Sequence, residues 1–343
     1  MARDPQVSVV LPCYEAERFL AESLQSLLAQ TFGELEVLAI DDGSRDGTPE
    51  VLERFATRDA RVRVLRNDVN RGVIETLNRG VAEARGEIVA RMDADDVAAP
   101  TRIERQVEVL ASRPEIDLVG TAVEVVDGAS GRRLRPRPVR CLEPGGARFA
   151  SLFATPAMHM TIAARAEVMR AYPYGGTPES LHTEDYEMFA RMLRDGRGFC
   201  NVDEPLMTVR VDASSVSARH EAVQVENFVR CAADHLERTL EMRPPPAAHR
   251  VLVNRIDETV GAGDLRDGLR WLDRIEDEFL RREPQSAAAD VRRAADLQRV
   301  DVLVQAALRG SPGVRAMAPP LALRYARRLL SPPARGYLAG KLH

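Results

Sequence analysis

The chain has 343 residues, with 48 Lys and Arg against 52 Asp and Glu, for a formal net charge of −4 at pH 7. This length suffices for one large catalytic domain and a smaller appendage, and the near balance of charge gives no global drive toward nucleic acid. Lys341 is the only lysine, so Arg is the default cation and Arg clusters carry less meaning than usual. Cys13, Cys141, Cys200 and Cys231 show neither CxxC pairs nor metal-type spacing, which fits buried thiols in a reducing compartment. The first apolar run, Val7 to Leu11, is too short for a signal segment, and no later run approaches about 18 apolar residues. The expected location is the cytoplasm, with at most peripheral contact at the inner face of the plasma membrane.

In chain order, "VSVVLP" is a short, β-branched apolar run stopped by Pro12, and "AERFLAESLQSLLAQ" follows with apolar residues at helical spacing. The strand-then-helix pattern recurs as "LEVLAID" with "GTPEVLERFA", "VRVLRN" with "GVIETLNRGVAEA", and "EIVARMD" with "TRIERQVEVLAS". Such alternation of apolar strands and helices predicts an α/β fold built on a mainly parallel sheet. In sheets of this kind ligands bind beyond the carboxyl ends of the strands. Those ends carry "PCYEAE", "DDGSRDGT", "RNDVNRG" and "MDADD", so polar and acidic residues gather on one edge.

After residue 117 the pattern changes. "DLVGTAVEVVDGASGRRLR" reads as strands around a glycine-containing hairpin, "PRPVRCLEPGG" as a loop, and "MHMTIAARAEVMRAYP" as a strand passing into a helix. "YGGTPESLH" reads as a mobile loop before the helix "TEDYEMFARMLRDG", where Thr183 is placed to cap and Glu184 and Asp185 favour the positive helix end. Strand "PLMTVRV" follows. From about residue 218 the strands stop: "HEAVQVENFVRCAADHLERTL" is helical, "RPPPAA" breaks it, and three further amphipathic helices are expected up to about residue 330. The division expected is a catalytic domain over 1–217 and a helical region over 218–343. The helix "LALRYARRLL" lies in a terminal stretch with basic residues and no acid. It has two readings, packing on its own domain or contact with an anionic membrane surface.

The crowded carboxylates of "RMDADD" carry the first chemical signal. Like charges at a strand end resist desolvation unless water, a cation or a hydrogen-bonding ligand compensates them. Hard oxygen ligands in this pattern suit Mg²⁺ or Mn²⁺ held together with a diphosphate; an acidic start to the next helix explains only one carboxylate. Asp41 and Asp42 form a second acidic pair, suited to a nucleobase imide or ribose hydroxyls, or to shaping an Asx-rich turn together with Asp46.

Together, "VSVVLPCYEAERFLAESLQSLLAQTFGELEVLAIDDGSRDGT", "NDVNRGVIETLNRGVAEARGEIVARMDADDVAAPTRIERQ", "MHMTIAARAEVM" and "TEDYEMFARM" resemble, in order and spacing, the bacterial-type family 2 glycosyltransferases of the GT-A fold, over roughly residues 5 to 220. The resemblance implies a Rossmann-like nucleotide-diphospho-sugar transferase domain with a helical C-terminal region. It implies that Pro12, Tyr14 and Glu15 line the nucleotide pocket, that Asp42 binds a uracil-type base with Asp41 beside it, and that Asn70, Arg71 and Gly72 contact the nucleotide. Asp93 and Asp95 match the family's DxD motif, the first reaching ribose or metal and the second ligating the metal, Mn²⁺ or Mg²⁺. Asp185 matches the catalytic base, with Glu184 beside it, and His159 matches a histidine common among relatives.

One departure stands out. Where many relatives carry a histidine after the base helix, this chain has Asp212 in "VRVDASSVS", so Asp212 is a candidate further metal ligand, with Arg210 nearby. The reaction implied is transfer of a sugar, with inversion, from a nucleoside-diphosphate donor, most simply UDP-linked, to a hydroxyl of a glycan, lipid-linked saccharide or small molecule. The setting implied is cell-surface polysaccharide or glycoconjugate biosynthesis, without nucleic acid, and a homo-oligomer is left open. Two alternatives stay open at this level. "DADDV" literally fits the motif of haloacid-dehalogenase-type phosphatases, although that motif normally closes the first strand, and a catalytically inactive sugar-nucleotide scaffold would use the same pocket.

Overall fold

The computed structural model describes residues 4–134, 140, 142–175, 181–211 and 220–325. They group into two compact units: one of residues 1–141, 157–177 and 197–219, the other of 142–156, 178–196 and 220–343. Two segments ahead of residue 218, including the helix that carries Glu184 and Asp185, therefore belong with the helical unit.

The first unit is built on eight strands, β1 (Val7–Cys13), β2 (Leu35–Asp41), β3 (Val62–Arg66), β4 (Ile88–Arg91), β5 (Val97–Ala98), β6 (Leu118–Asp127), β7 (Ala163–Arg165) and β8 (Phe199–Val211), in the order β3-β2-β1-β4-β7-β6-β8-β5. Pairs β3–β2, β2–β1 and β1–β4 are parallel, as the alternating pattern predicts. Beyond β4 the sheet is mixed, with β7 antiparallel to both neighbours, β6 parallel to β8, and β5 antiparallel to β8. All seven residues of β2 and six of seven in β1 are buried, which is why both read as continuous apolar runs rather than alternating ones.

The helices α1 (Glu17–Leu28), α2 (Thr48–Arg58), α3 (Val73–Glu83), α4 (Arg102–Ser112) and α6 (Ala166–Ala171) belong to this unit. Leu20, Leu24 and Leu27 of α1 and Ile103 and Leu110 of α4 join the strand residues in one core. Register aligns the strand ends, since Cys13 pairs with Asp41 and Asp41 with Arg66. Pairing of β1 with β4 stops at Val10, so Pro12, which lacks an N–H, lies past that ladder and forfeits no bond to β4.

Three local expectations change. "MHMTI" forms a 3₁₀ turn at His159–Thr161, leaving only Ala163–Arg165 as strand, because Met158 O takes hydrogen bonds from the backbone N–H and hydroxyl of Thr161. The hairpin after β6 turns at Asp127, but its return arm pairs only at Arg133 with Val126 among the described residues. Part of the expected loop is instead α5 (Pro144–Ser151). Its paired glycines are poor helix formers, yet Pro144 suits the first turn of a helix.

The second unit contains α5, α7 (Glu184–Arg194), α8 (Glu221–Leu240), α9 (Pro246–Leu252), α10 (Ala262–Arg282), α11 (Ala288–Arg309) and α12 (Pro312–Arg324). Among the described residues four helices follow the Pro244–Pro246 break instead of three. Helix α11 is not amphipathic: residues from Val291 to Ala306 are buried on more than one face, including Gln298, Arg299 and Asp301. The Arg299 guanidinium, fully buried, pairs with Asp273 at 2.7 Å, with Asp296 at 3.2 Å and with Glu276. Residues 176–180 of the expected loop, 212–219 with Asp212, and 326–343 with most of the basic terminal stretch lie outside the described residues.

Candidate active site

Four loops leave the aligned strand ends of the first unit, and side chains tie them together. After β1, Glu15 adopts a positive φ of 50°, its N–H donates to Ser44 Oγ at 3.1 Å, and its Oε1 accepts from Arg45 N–H at 2.8 Å. Ala16 N–H donates to Thr48 Oγ1 at 2.8 Å, and Asp46 accepts from the N–H groups of Glu17 and Thr48, both at 3.0 Å. Asp46 thus shapes the turn. Tyr14 is exposed at the tip of the same loop, and Pro12 is partly buried at the strand end.

Asp42 organises the second loop pair. Its Oδ1 accepts from Asn67 Nδ2 at 2.7 Å and Arg71 N–H at 2.9 Å, while Oδ2 accepts from Gly72 N–H at 2.9 Å. A buried carboxylate taking three donors fixes the backbone of residues 70–72, the segment expected to touch a nucleotide. Gly72 has φ +86°, and Gly43 has φ +74° with Val69 backbone where a Cβ would stand, so both positions demand glycine. Asn70 Oδ1 also accepts from Gly72 N–H at 3.0 Å. Asp41 Oδ1 accepts from Ser44 N–H at 3.0 Å, and its Oδ2 lies 3.2 Å from Arg66 Nε without hydrogen-bond alignment.

The acidic turn after β4 brings one oxygen each of Asp93, Asp95 and Asp96 within 4.8 Å of one another. Asp93 is held by a two-pronged contact to the buried Arg91, at 2.5 and 2.8 Å. Burial pulls the Arg91 guanidinium down, but Asp93 and its neighbours outweigh this and hold it up. Asp95 is open to solvent on one side, yet the protein around it and then the charge of Asp93 push its carboxyl up to about 6. Asp96, 1% exposed, is pushed up to about 8 by burial and then by Asp93 and Asp95. Its Oδ1 accepts from Arg210 N–H at 3.0 Å, while its buried Oδ2 has no hydrogen-bond partner.

Several supports of this turn were not apparent in sequence. Ser23 of α1 donates to the backbone O of Ala94 or Asp96, at 2.8 and 2.6 Å. Arg210 also donates to Asp95 O, pairs with Glu22 at 2.5 Å and lies over the Phe19 ring. Arg102, fully buried at the start of α4, donates to Arg91 O at 2.6 Å and Met160 O at 3.2 Å, and burial pulls its guanidinium down to about 9. Gln106, one turn on, accepts from Arg102 and donates to Thr161 O at 2.7 Å. The available signal was Arg and Gln four apart on the face of α4 that also carries Ile103 and Leu110.

His159 sits half-buried against Tyr174, Nε2 to hydroxyl 2.9 Å, and the surrounding protein, then Arg91, hold its pKa well below the usual histidine value. Glu184 and Asp185 stand in the first turn of α7, in the second unit, and Asp185 Oδ1 accepts from Tyr186 N–H at 2.7 Å. Thr183 occupies the N-cap position but its hydroxyl makes no cap; it lies 3.8 Å from Cys231 Sγ instead. Cys13 and Cys200 are buried, and burial pushes the Cys13 thiol up.

A parallel half-sheet continued by antiparallel strands, with an acidic turn at the end of β4, defines a GT-A-type nucleotide-sugar transferase fold. It is shared by S. aureus TarS 1–349 in complex with UDP-GlcNAc, with a TM-score of 0.57 at 17% identity, covering 94% of this chain and 92% of that one. A mannosyltransferase of Pyrobaculum calidifontis, solved with GDP-Man and Mn²⁺, gives a TM-score of 0.52 at 19% identity over 99% of this chain and 85% of that one. Residues 8–169 match the glycosyl transferase family 2 model. The amylovoran biosynthesis glycosyltransferase AmsE of Erwinia amylovora is 30% identical over 217 residues, 62% of this chain and 79% of the relative. The chain belongs to glycosyl transferase family 2 and is a glycosyltransferase. The phosphatase reading of "DADDV" falls with that assignment, and so does the inactive scaffold.

Proposed function

We propose that the enzyme transfers a sugar, with inversion and assisted by Mg²⁺ or Mn²⁺, from a UDP-linked donor to a hydroxyl of a glycan, lipid-linked saccharide or small metabolite. The observation that carries this reading is the crowded acidic turn after β4. Three carboxylates crowd within 4.8 Å and a buried oxygen of Asp96 lacks a partner, an arrangement that fits a hard divalent cation. Asp93 and Asp95 would hold the ion, with Asp96 behind them; a bound ion supplies charge neutralisation for a diphosphate leaving group. Support for a metal and a nucleotide-sugar comes from the P. calidifontis enzyme with its GDP-Man and Mn²⁺, and support for uridine from TarS with its UDP-GlcNAc.

The remaining roles belong to the chain's own side chains. An ionised carboxylate offers about four acceptor sites, so Asp42, with three taken, keeps one for a base imide N–H, while residues 70–72 are held ready beside it. Arg91 fixes Asp93, and Ser23 and Arg210 hold the turn, so little reorganisation is needed on binding. Asp185 would take the proton of the acceptor hydroxyl; a single displacement then needs no second carboxylate as nucleophile. Asp212 remains a candidate further ligand, His159 a structural partner of Tyr174. No helix among the described residues is long and apolar enough to cross a membrane; the setting proposed is polysaccharide assembly at the cytoplasmic face, with support for the assembly role from the naming of AmsE as an amylovoran biosynthesis enzyme.

The test is a pair of variants assayed for UDP release from UDP-sugars with Mn²⁺. Asp95→Ala should lose metal-supported turnover by about 10²–10³-fold, and preserved activity at saturating donor would overturn the metal assignment. Asp185→Asn should bind donor normally by calorimetry but lose transfer; equal loss of both would reject the base.

A further inference from the structure

The second unit holds a cavity of about 300 Å³ where the C-terminal turns of α7, α8 and α10 meet α5. Four guanidinium groups line it, Arg148, Arg194, Arg238 and Arg282, against one carboxylate, Glu283, with His235 buried in its wall. Arginines at helix C-termini often serve only to satisfy carbonyls. Arg282 does so, donating to Thr239 O and Leu240 O, each at 3.1 Å, and Arg238 pairs at 2.7 Å with Asp234, a residue outside the lining.

The other two are not accounted for in that way. Arg194 has its nearest carboxylate, Asp195, at 3.9 Å, beyond hydrogen-bond reach. Arg148 donates to Glu283, the one carboxylate of the same wall, and burial pulls its guanidinium below the usual arginine value. His235 adds no second positive charge. Ser151 Oγ donates to Arg148 O at 2.7 Å and so accepts from His235 Nε2 at 3.0 Å, which places a proton on Nε2, while burial and then Arg194 pull the ring's pKa down to about 4 and keep it neutral near pH 7. The wall thus offers several N–H donors against a single carboxylate, Glu283.

We propose that this cavity binds a small phosphate-bearing anion, with Arg194 as its principal ligand and Arg148, shared with Glu283, beside it, at a place apart from the acidic turn of the first unit. Planar guanidinium forks match phosphate oxygens in pairs, and the volume lies at the lower end of small-ligand pockets. A sugar phosphate, inorganic phosphate or pyrophosphate shares this chemistry with a lipid phosphate headgroup.

The experiment uses the full chain, desalted free of divalent ions, titrated with inorganic pyrophosphate by calorimetry and thermal shift. Saturable binding should raise the apparent melting temperature, weaken at least tenfold in Arg194→Gln and recover partly in Arg194→Lys. Asp95→Ala must bind unchanged, which separates this site from the donor site. Co-sedimentation with phosphatidic acid vesicles, also weakened by Arg194→Gln, would keep the pocket and name a lipid headgroup as its source. Absence of binding to both probes, or affinity unchanged in Arg194→Gln, or loss in Asp95→Ala, overturns the proposal.

Discussion

Two regions of this molecule crowd charge, and they resolve it in opposite ways. In the helical unit the buried Arg299 is surrounded by Asp273, Glu276 and Asp296, and Tyr325 hydroxyl donates to Asp273 at 2.8 Å. Those acids hold its guanidinium up although burial opposes it. In the sheet unit Asp93, Asp95 and Asp96 crowd while Arg91 is committed to Asp93 and the Arg210 guanidinium to Asp95 O and Glu22. In the first cluster each of the three carboxylates pairs directly with the arginine, although Arg299 Nε is left without a hydrogen-bond partner. In the second only Asp93 has such a pair, and that difference separates a structural network from one proposed to receive a ligand.

The largest expected effect breaks the paired cluster. Arg299→Met leaves the buried Glu276 carboxylate without its cation and should cost about 3 kcal/mol of stability, read from urea unfolding; a loss below about 1 kcal/mol would mean that solvent reaches this acid. The next tests a buried neutral group. His235, pulled from 6.5 to about 4 by burial and then by Arg194, is protonated in the unfolded chain before the folded one. Its contribution is therefore complete above pH 6.5 and lost as pH falls toward 4, by about 3 kcal/mol. His235→Gln should flatten the pH dependence of unfolding over that window, and an unchanged slope would show that the ring is not desolvated. The smallest effect has the opposite sign. Asp96→Asn, which keeps an oxygen for Arg210 N–H, should stabilise the metal-free protein near pH 7 by about 1 kcal/mol, seen as a raised melting temperature. A lowered one would place the acidic turn with the paired cluster.

The expected strand–helix alternation and the acidic strand ends were readable because both are local: side-chain periodicity and turn residues act over a few positions. The same holds for Asp46 in its turn and for glycine at 43 and 72, where φ is positive. The supports of the site were not readable, because their partners are distant in the chain. Asp96 meets Arg210 across 114 positions, and Ser23 meets Asp96 across 73. Arg102 and Gln106 look like polar interruptions of an amphipathic helix until the carbonyls of residues 91, 160 and 161 are found opposite them.

The sequence by itself determined the class of fold, through apolar strands alternating with helices, and the location of acidic residues at one sheet edge. Tertiary structure decided which of those carboxylates are satisfied. Asp42 is bound by three donors and Asp46 by two, whereas Asp95 and Asp96 remain short of compensation. The physical reason is that a carboxylate's state depends on which donors, charges and water surround it in space, and neighbours in sequence supply only a few of these.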